Sequence, residues 1–157
     1  VVVWCTGFHV TDSYTYVDIK GLGGEDLVDR WNREGMAAHR GITVANMPNL
    51  FFLLGPNTAL GHNSVVFMIE SQIRYAAQAI AAADKAGAAA LMPSRRAQDE
   101  YNAELQQNLA GTVWSTGGCH SWYMDEHGVN RTLWSGMTWQ YWLETRKFQS
   151  TEYEFIR

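Results

Sequence analysis

Cysteine is scarce: Cys5 and Cys119 are the whole complement, too few for a disulfide framework. A reducing, cytoplasmic location is therefore the default expectation. No apolar run approaches the ~20 residues that a membrane-spanning helix needs. Residues 1–4 are apolar, but they are short and lack the basic start of a secretory leader. Positive charge is not in excess. The formal net charge is -4 at pH 7, which leaves no basic footprint for nucleic acid. No CxxC pair stands near Cys119, His120 and His127, so the ligand spacing of a zinc site is not met. A nucleophile elbow and an ordered triad are both missing, which removes the usual cofactor-free hydrolase. Gly21, Gly23 and Gly24 lack the spacing and the preceding core strand of a dinucleotide fingerprint.

What is there reads as a folded chain. It has 157 residues, with 46% hydrophobic and 18% charged, enough length for one domain with a real core and too little charge for disorder. The organising stretch is residues 50–83. Five apolar residues, Leu50, Phe51, Phe52, Leu53 and Leu54, are bounded by Pro48-Asn49 and Gly55-Pro56, the pattern of a strand covered on both faces. A glycine-containing turn, residues 55–64, leads into a long helix from about Val65. Val65, Ile69, Ile73, Ala76, Ala77 and Ile80 recur at three- and four-residue spacing, which predicts the core-facing stripe. Asn63 or Ser64 supplies the N-cap oxygen. A strand running through such a turn into a helix start gathers free backbone N–H groups at one point, and that point favours negative charge or a carbonyl-type oxygen.

Around this centre the elements are shorter. Residues 1–5 read as a buried strand closed by Thr6, Gly7 and Phe8. An apolar run with no lead-in suggests a chain cut from something longer. Residues 16–20 alternate like a short strand, and residues 41–44 are another strand candidate. Residues 25–32 place Leu27, Val28 and Trp31 on one face of a short helix. The long helix ends near Gly87, and Ser94 caps a second one, residues 95–109, with Tyr101, Leu105 and Leu109 inward. Residues 111–115 and 130–134 look extended, with a glycine-rich polar loop between them. A last helix over residues 138–148 turns Trp139, Trp142, Leu143 and Phe148 inward. Five of the seven tryptophans fall in the last third. Trp122 sits in a glycine-flanked loop, where ligand contacts are more expected than core packing. His62 either lines the helix start or makes a polar contact to a bound cofactor.

Four motifs in order carry a resemblance: residues 1–8, residues 48–57, then Gly61-His62-Asn63-Ser64 with Ile69-Glu70, then Ser121-Trp122-Tyr123. Together they resemble the C-terminal part of the class B flavin monooxygenases, in particular the Baeyer–Villiger type. The resemblance implies an α+β chain made of the closing portions of two Rossmann-like dinucleotide-binding domains. It has short strands, one long central helix and a C-terminal helix-and-loop extension. Residues 1–10 would end the NADP domain, residues 11–90 would close the FAD domain, and residues 91–157 would form the extension. The implied cofactors are FAD and NADP. The implied contacts are Thr6, Gly7, Gly55, Pro56, Asn57, Thr58, His62, Asn63, Ser64 and Trp122, with no catalytic side chain in this stretch. The implied reaction is oxygenation of a small ketone or a heteroatom by O₂ and NADPH. Both glycine-rich fingerprints of the family are absent, so the isolated chain is expected to bind FAD poorly and to be inactive. Its apolar faces would be covered by the missing N-terminal half or by self-association. The alternative is a non-enzymatic α+β binding or interaction module with an aromatic-lined pocket.

Overall fold

The computed structural model describes residues 1–4, 14–117 and 121–157. In chain order the elements are α1 (Leu27–Glu34), α2 (Val65–Ala86), β1 (Ala90–Pro93), α3 (Arg95–Ala110), α4 (Val113–Thr116), α5 (Thr138–Thr145) and β2 (Tyr153–Ile156). Tight 3-10 turns occupy Leu22–Gly24 and Ser150–Glu152. The chain is mixed α and β. No helix among the described residues is long and apolar enough to cross a membrane.

The helix ends follow from local chemistry. At the start of α2, the Ser64 hydroxyl accepts from the Phe67 N–H at 3.3 Å. Gly87 closes that helix at φ 61°, a left-handed cap that glycine adopts without a Cβ penalty. Ser94 caps α3 by accepting from the Ala97 N–H at 3.2 Å. Asp26 does the same for α1, accepting from the Asp29 N–H at 3.0 Å. Each such cap stabilises its helix by about 1 kcal/mol.

The 22-residue α2 is the central post. Tyr75 and Ala79 pack with Ile42, Leu91 and Tyr153. Met68, two turns before Tyr75 and three before Ala79 on the same side, packs with Leu105, Leu109, Trp134 and Tyr141. A third cluster joins Leu27 and Trp31 of α1 to Met36, Val44 and Met47. The face of α2 that goes inward is therefore not the predicted one. Met68, Ser71, Gln72, Tyr75 and Ala79 are buried, whereas Ile73 and Ile80 are 50% and 55% exposed. The helix is apolar nearly all round, so periodicity alone fits two faces. Two polar residues sit on the buried one because both find partners. Ser71 donates to the Phe67 carbonyl at 2.8 Å. Gln72 accepts from the Leu54 N–H at 2.7 Å and donates to the Tyr141 hydroxyl at 3.1 Å.

Residues 50–54 do not form a strand. Phe51 makes a single antiparallel bridge to Thr43, and Leu54 turns left-handed at φ 60°, so that its N–H meets Gln72. A strand needs a ladder, and among the described residues none is offered here. For the same reason residues 41–44 form turns and one-residue bridges, and residues 16–20 reduce to a bridge between Lys20 and Asp26. Residues 1–4 have no regular structure and are highly exposed; the rest of that predicted strand lies outside the described residues. Within residues 111–115 the chain enters the helical turn α4 instead of an extended segment. The last helix stops at Thr145 and buries Thr138, Tyr141 and Thr145, leaving Trp139 and Leu143 exposed. The ladder that does form is β1 against β2, antiparallel, with Ala90 opposite Ile156 and Pro93 opposite Tyr153.

The C-terminal end is fastened by a polar cluster. Arg40 donates to both Glu152 carboxylate oxygens at 2.9 and 3.0 Å. His39, 1% exposed, lies 2.9 Å from Glu152 through Nε2. The carboxylate can only accept, so that nitrogen carries the proton.

Candidate functional site

The turn before α2 has two halves with different fates. Gly55, Pro56, Asn57 and Thr58 are buried. A Cβ on Gly55 would lie 2.3 Å from the Gly41 carbonyl oxygen, so only glycine fits this approach. The Thr58 hydroxyl donates to the Gly55 carbonyl at 2.6 Å. The Asn57 side-chain amide donates to the carbonyls of Asn130 and Leu133 at 2.8 and 3.0 Å. These side chains brace the turn from within and do not face an open surface.

Gly61, His62, Asn63 and Ser64 are exposed. Two N–H groups here are taken by neighbouring side chains: Phe67 by Ser64, and Ser64 by the Asn63 side-chain oxygen at 2.7 Å. The N–H groups of Val65 and Val66 carry no hydrogen bond to described residues, as expected for the first turn of a helix. The long helix places its partial positive charge at the same point. Asn63 also donates to the Thr138 hydroxyl at 3.2 Å, which ties the turn to α5.

An aromatic ladder stands beside this opening. A Cβ on Gly61 would lie 2.7 Å from the Trp114 ring, so the glycine lets the indole rest on the backbone. Tyr123 meets Trp114 edge-on, with centroids 5.6 Å apart. Trp122 stacks on Tyr123 at 4.5 Å and 28°, and is 48% exposed. A run of ring contacts thus leads from Gly61 through Trp114 and Tyr123 to Trp122. Sequence reasoning did not single out these two rings as site residues; the crowding of tryptophans was the signal available. Thr6, Gly7, Cys119 and His120 lie outside the described residues. Among the described residues no group of three or more His, Cys, Asp or Glu side chains could hold a metal ion.

The arrangement can receive an electron-rich, carbonyl-bearing edge at the start of α2, with a flat aromatic surface alongside. Sequence comparison decides which kind of protein builds it. No family model matches the chain. A Baeyer–Villiger monooxygenase of Pseudomonas aeruginosa is 44% identical over 153 residues, covering 97% of this chain and 29% of that protein. A second, of Streptomyces coelicolor, is 41% identical over 157 residues, 99% of this chain and 30% of that protein. Over almost all of its length, the chain is homologous to Baeyer–Villiger monooxygenases. It spans about three-tenths of the length of these relatives. The fold agrees. A closed crystal structure of cyclohexanone monooxygenase superposes with a TM-score of 0.78 at 24% identity, covering 96% of this chain and 29% of that one. An NADP-bound steroid monooxygenase gives 0.78 at 22% identity, covering 89% and 27%.

Proposed function

We propose that this chain is the C-terminal portion of an FAD- and NADPH-dependent Baeyer–Villiger monooxygenase, which inserts one oxygen atom of O₂ into a ketone or places it on a heteroatom. The observation that carries this reading is the 44% identity to a Baeyer–Villiger monooxygenase over 97% of the chain. A relative from Aspergillus niger, 35% identical over 98% of this chain and covered to 26% of its own length, is named an FAD-binding monooxygenase, ktnD. In the intact protein, residues 1–10 end the NADP domain, residues 11–90 close the Rossmann-like FAD domain, and residues 91–157 extend it.

The donor set fits a flavin. The open amides of Val65 and Val66, with His62, Asn63 and Ser64, form the exposed start of α2 and would hold the electron-rich edge of a bound flavin. Bound FAD, reduced by NADPH, supplies the activation of O₂. The chain's own contribution is charge and position. Amides fixed at a helix start stabilise developing negative charge without reorganising. Gly55, Pro56, Asn57 and Thr58 hold the turn at its height through their internal hydrogen bonds. Trp122, carried on Tyr123, would contact the nicotinamide cofactor when it is bound, and Thr6 and Gly7 are proposed as further contacts to it. No catalytic role is assigned to a side chain of this stretch, and the remaining walls of the site are proposed to come from an N-terminal half.

The alternative, a binding module with an aromatic-lined pocket, finds less support. The cavity of about 510 Å³ beside α3 is lined by charged, polar and apolar side chains together, with Tyr101 and Trp134 as its large rings and without Trp122. The test is to express the whole reading frame that contains this chain. The expected result is stoichiometric flavin and NADPH oxidation that rises with a cyclic ketone or a sulfide. A full-length product that carries no flavin would refute the proposal. For the 157-residue chain alone, weak FAD binding and no turnover are expected.

A further inference from the structure

The turn that leads into α2 rests at three points on a segment distant in the chain, residues 134–141. Just before the turn, the Leu54 N–H donates to the Gln72 side-chain oxygen at 2.7 Å, and the Gln72 amide donates to the Tyr141 hydroxyl at 3.1 Å. That hydroxyl donates in turn to the Arg40 carbonyl at 2.7 Å. In the middle of the turn, the Trp134 N–H donates to the Ala59 carbonyl at 2.9 Å. At its end, the Asn63 side-chain amide donates to the Thr138 hydroxyl at 3.2 Å, while the oxygen of the same side chain accepts from the Ser64 N–H at 2.7 Å.

The three supports differ in what they hold. Gln72 and Tyr141 are fully buried, so the core fixes the start of the turn. Asn63 is exposed, and Thr138 is its one side-chain partner from a distant segment among the described residues. Thr138 is itself buried and is the first residue of α5. An amide group is rigid and planar, so its two ends move together. Swinging Asn63 away from Thr138 therefore carries its oxygen off the Ser64 N–H. Ser64 caps α2, and the next two N–H groups are the open ones of Val65 and Val66. One hydroxyl on α5 thus restrains the residue that sets the direction of those amides.

We propose that Thr138 is a positioning residue for the flavin edge, acting through Asn63 and Ser64 on the helix-start amides. This inference rests on the monooxygenase reading above. Fixed donors stabilise developing charge because they are already in place when it appears. An Asn63 side chain free to rotate spreads the amides over several directions and weakens that effect. On this account α5 is part of the frame of the cofactor turn.

The test uses Thr138→Val, which keeps the shape of the side chain and removes the hydroxyl, with Thr138→Ser to restore it. Thr145→Val is the structural control: the Thr145 hydroxyl is buried in the same helix but donates to the Tyr141 carbonyl at 2.7 Å, away from the turn. In the 157-residue chain, without flavin, Thr138→Val should speed exchange of the Ser64 N–H and the Asn63 side-chain amide, read by NMR, roughly threefold to tenfold, the effect of one hydrogen bond. In the flavin-loaded whole protein it should weaken the preference for reduced over oxidised flavin by the same factor. For a two-electron couple that is a fall of about 15–30 mV in midpoint potential. Thr138→Ser should restore both values, and Thr145→Val should move neither. Unchanged exchange or an unchanged potential in Thr138→Val, no rescue by serine, or an equal fall in Thr145→Val would overturn the proposal. A whole protein that carries no flavin refutes the monooxygenase reading instead, and the exchange measurement, which needs no flavin, keeps the two failures distinguishable.

Discussion

Asn57→Ala separates a structural role for this residue from a cofactor contact. The side-chain amide faces two carbonyls, Asn130 at 2.8 Å and Leu133 at 3.0 Å, and the residue is 2% exposed. Carbonyls only accept, so the NH₂ group must point toward them. The Asn130 carbonyl keeps a second donor, Gln106, at 3.0 Å. Its loss therefore costs only about 1 kcal/mol. The Leu133 carbonyl loses its side-chain donor, at about 1–3 kcal/mol. The backbone stands at φ 57°, which asparagine tolerates and alanine resists by about 1 kcal/mol. Against this, the Asn57 side-chain oxygen is itself buried without a partner, and removing it returns about 1 kcal/mol. The net expectation is a destabilisation of about 3 kcal/mol, measured by urea unfolding followed by circular dichroism with no FAD present. For a chain of this length that corresponds to roughly 6–12 °C in Tm. Asn57→Gly loses the same bonds but keeps the left-handed turn open, so it should be milder by about 1 kcal/mol. A change below about 0.5 kcal/mol in Asn57→Ala would refute the bracing role.

Other outcomes follow from the same geometry. Gly41→Ala places a Cβ 2.1 Å from the Thr58 methyl at φ 65°, and should cost about 2–4 kcal/mol; an unaltered thermal melt would contradict the packing. Glu152, paired with Arg40 and His39, has its carboxyl lowered from 4.5 to about 2. A depressed acid contributes stability above its unfolded value, and that stability is lost as pH falls from about 4.5 toward 2. With the side chain 28% exposed, solvent screening reduces the contribution to about 1–3 kcal/mol. Glu152→Gln should lose that much at pH 7 and flatten the acid limb of a stability–pH curve; an unchanged acid limb would exclude the pairing. On α2, Met68→Ala should cost about 2–4 kcal/mol, whereas Ile73→Gln and Ile80→Gln should each stay within about 1 kcal/mol. The reverse ranking in chemical unfolding would restore the stripe predicted from periodicity.

The ends of α2 and α3 could be read directly. Ser64, Gly87 and Ser94 act within one turn of their own positions, and the sequence displays everything such a cap needs. The exposed Gly61-to-Ser64 stretch at the start of a long helix was readable for the same reason. Which side of α2 goes inward was not, because Ile69, Ile73 and Ile80 form as good a row as Met68, Tyr75 and Ala79. The choice was made by Gln72 reaching Leu54 and Tyr141, residues 18 and 69 positions away. Residues 50–54 have the composition of a strand, yet a strand exists only beside another, and Leu54 turned to meet α2 instead. The pairing that did form joins residues 90–93 to 153–156, across more than half the helices of the chain. The Arg40–Glu152 and Asn63–Thr138 contacts likewise arise between segments far apart in sequence. Caps and helical propensity are short-range forces carried by neighbouring residues. Strand partners, buried faces and charge clusters depend on which distant groups become adjacent, and only the tertiary structure decides that.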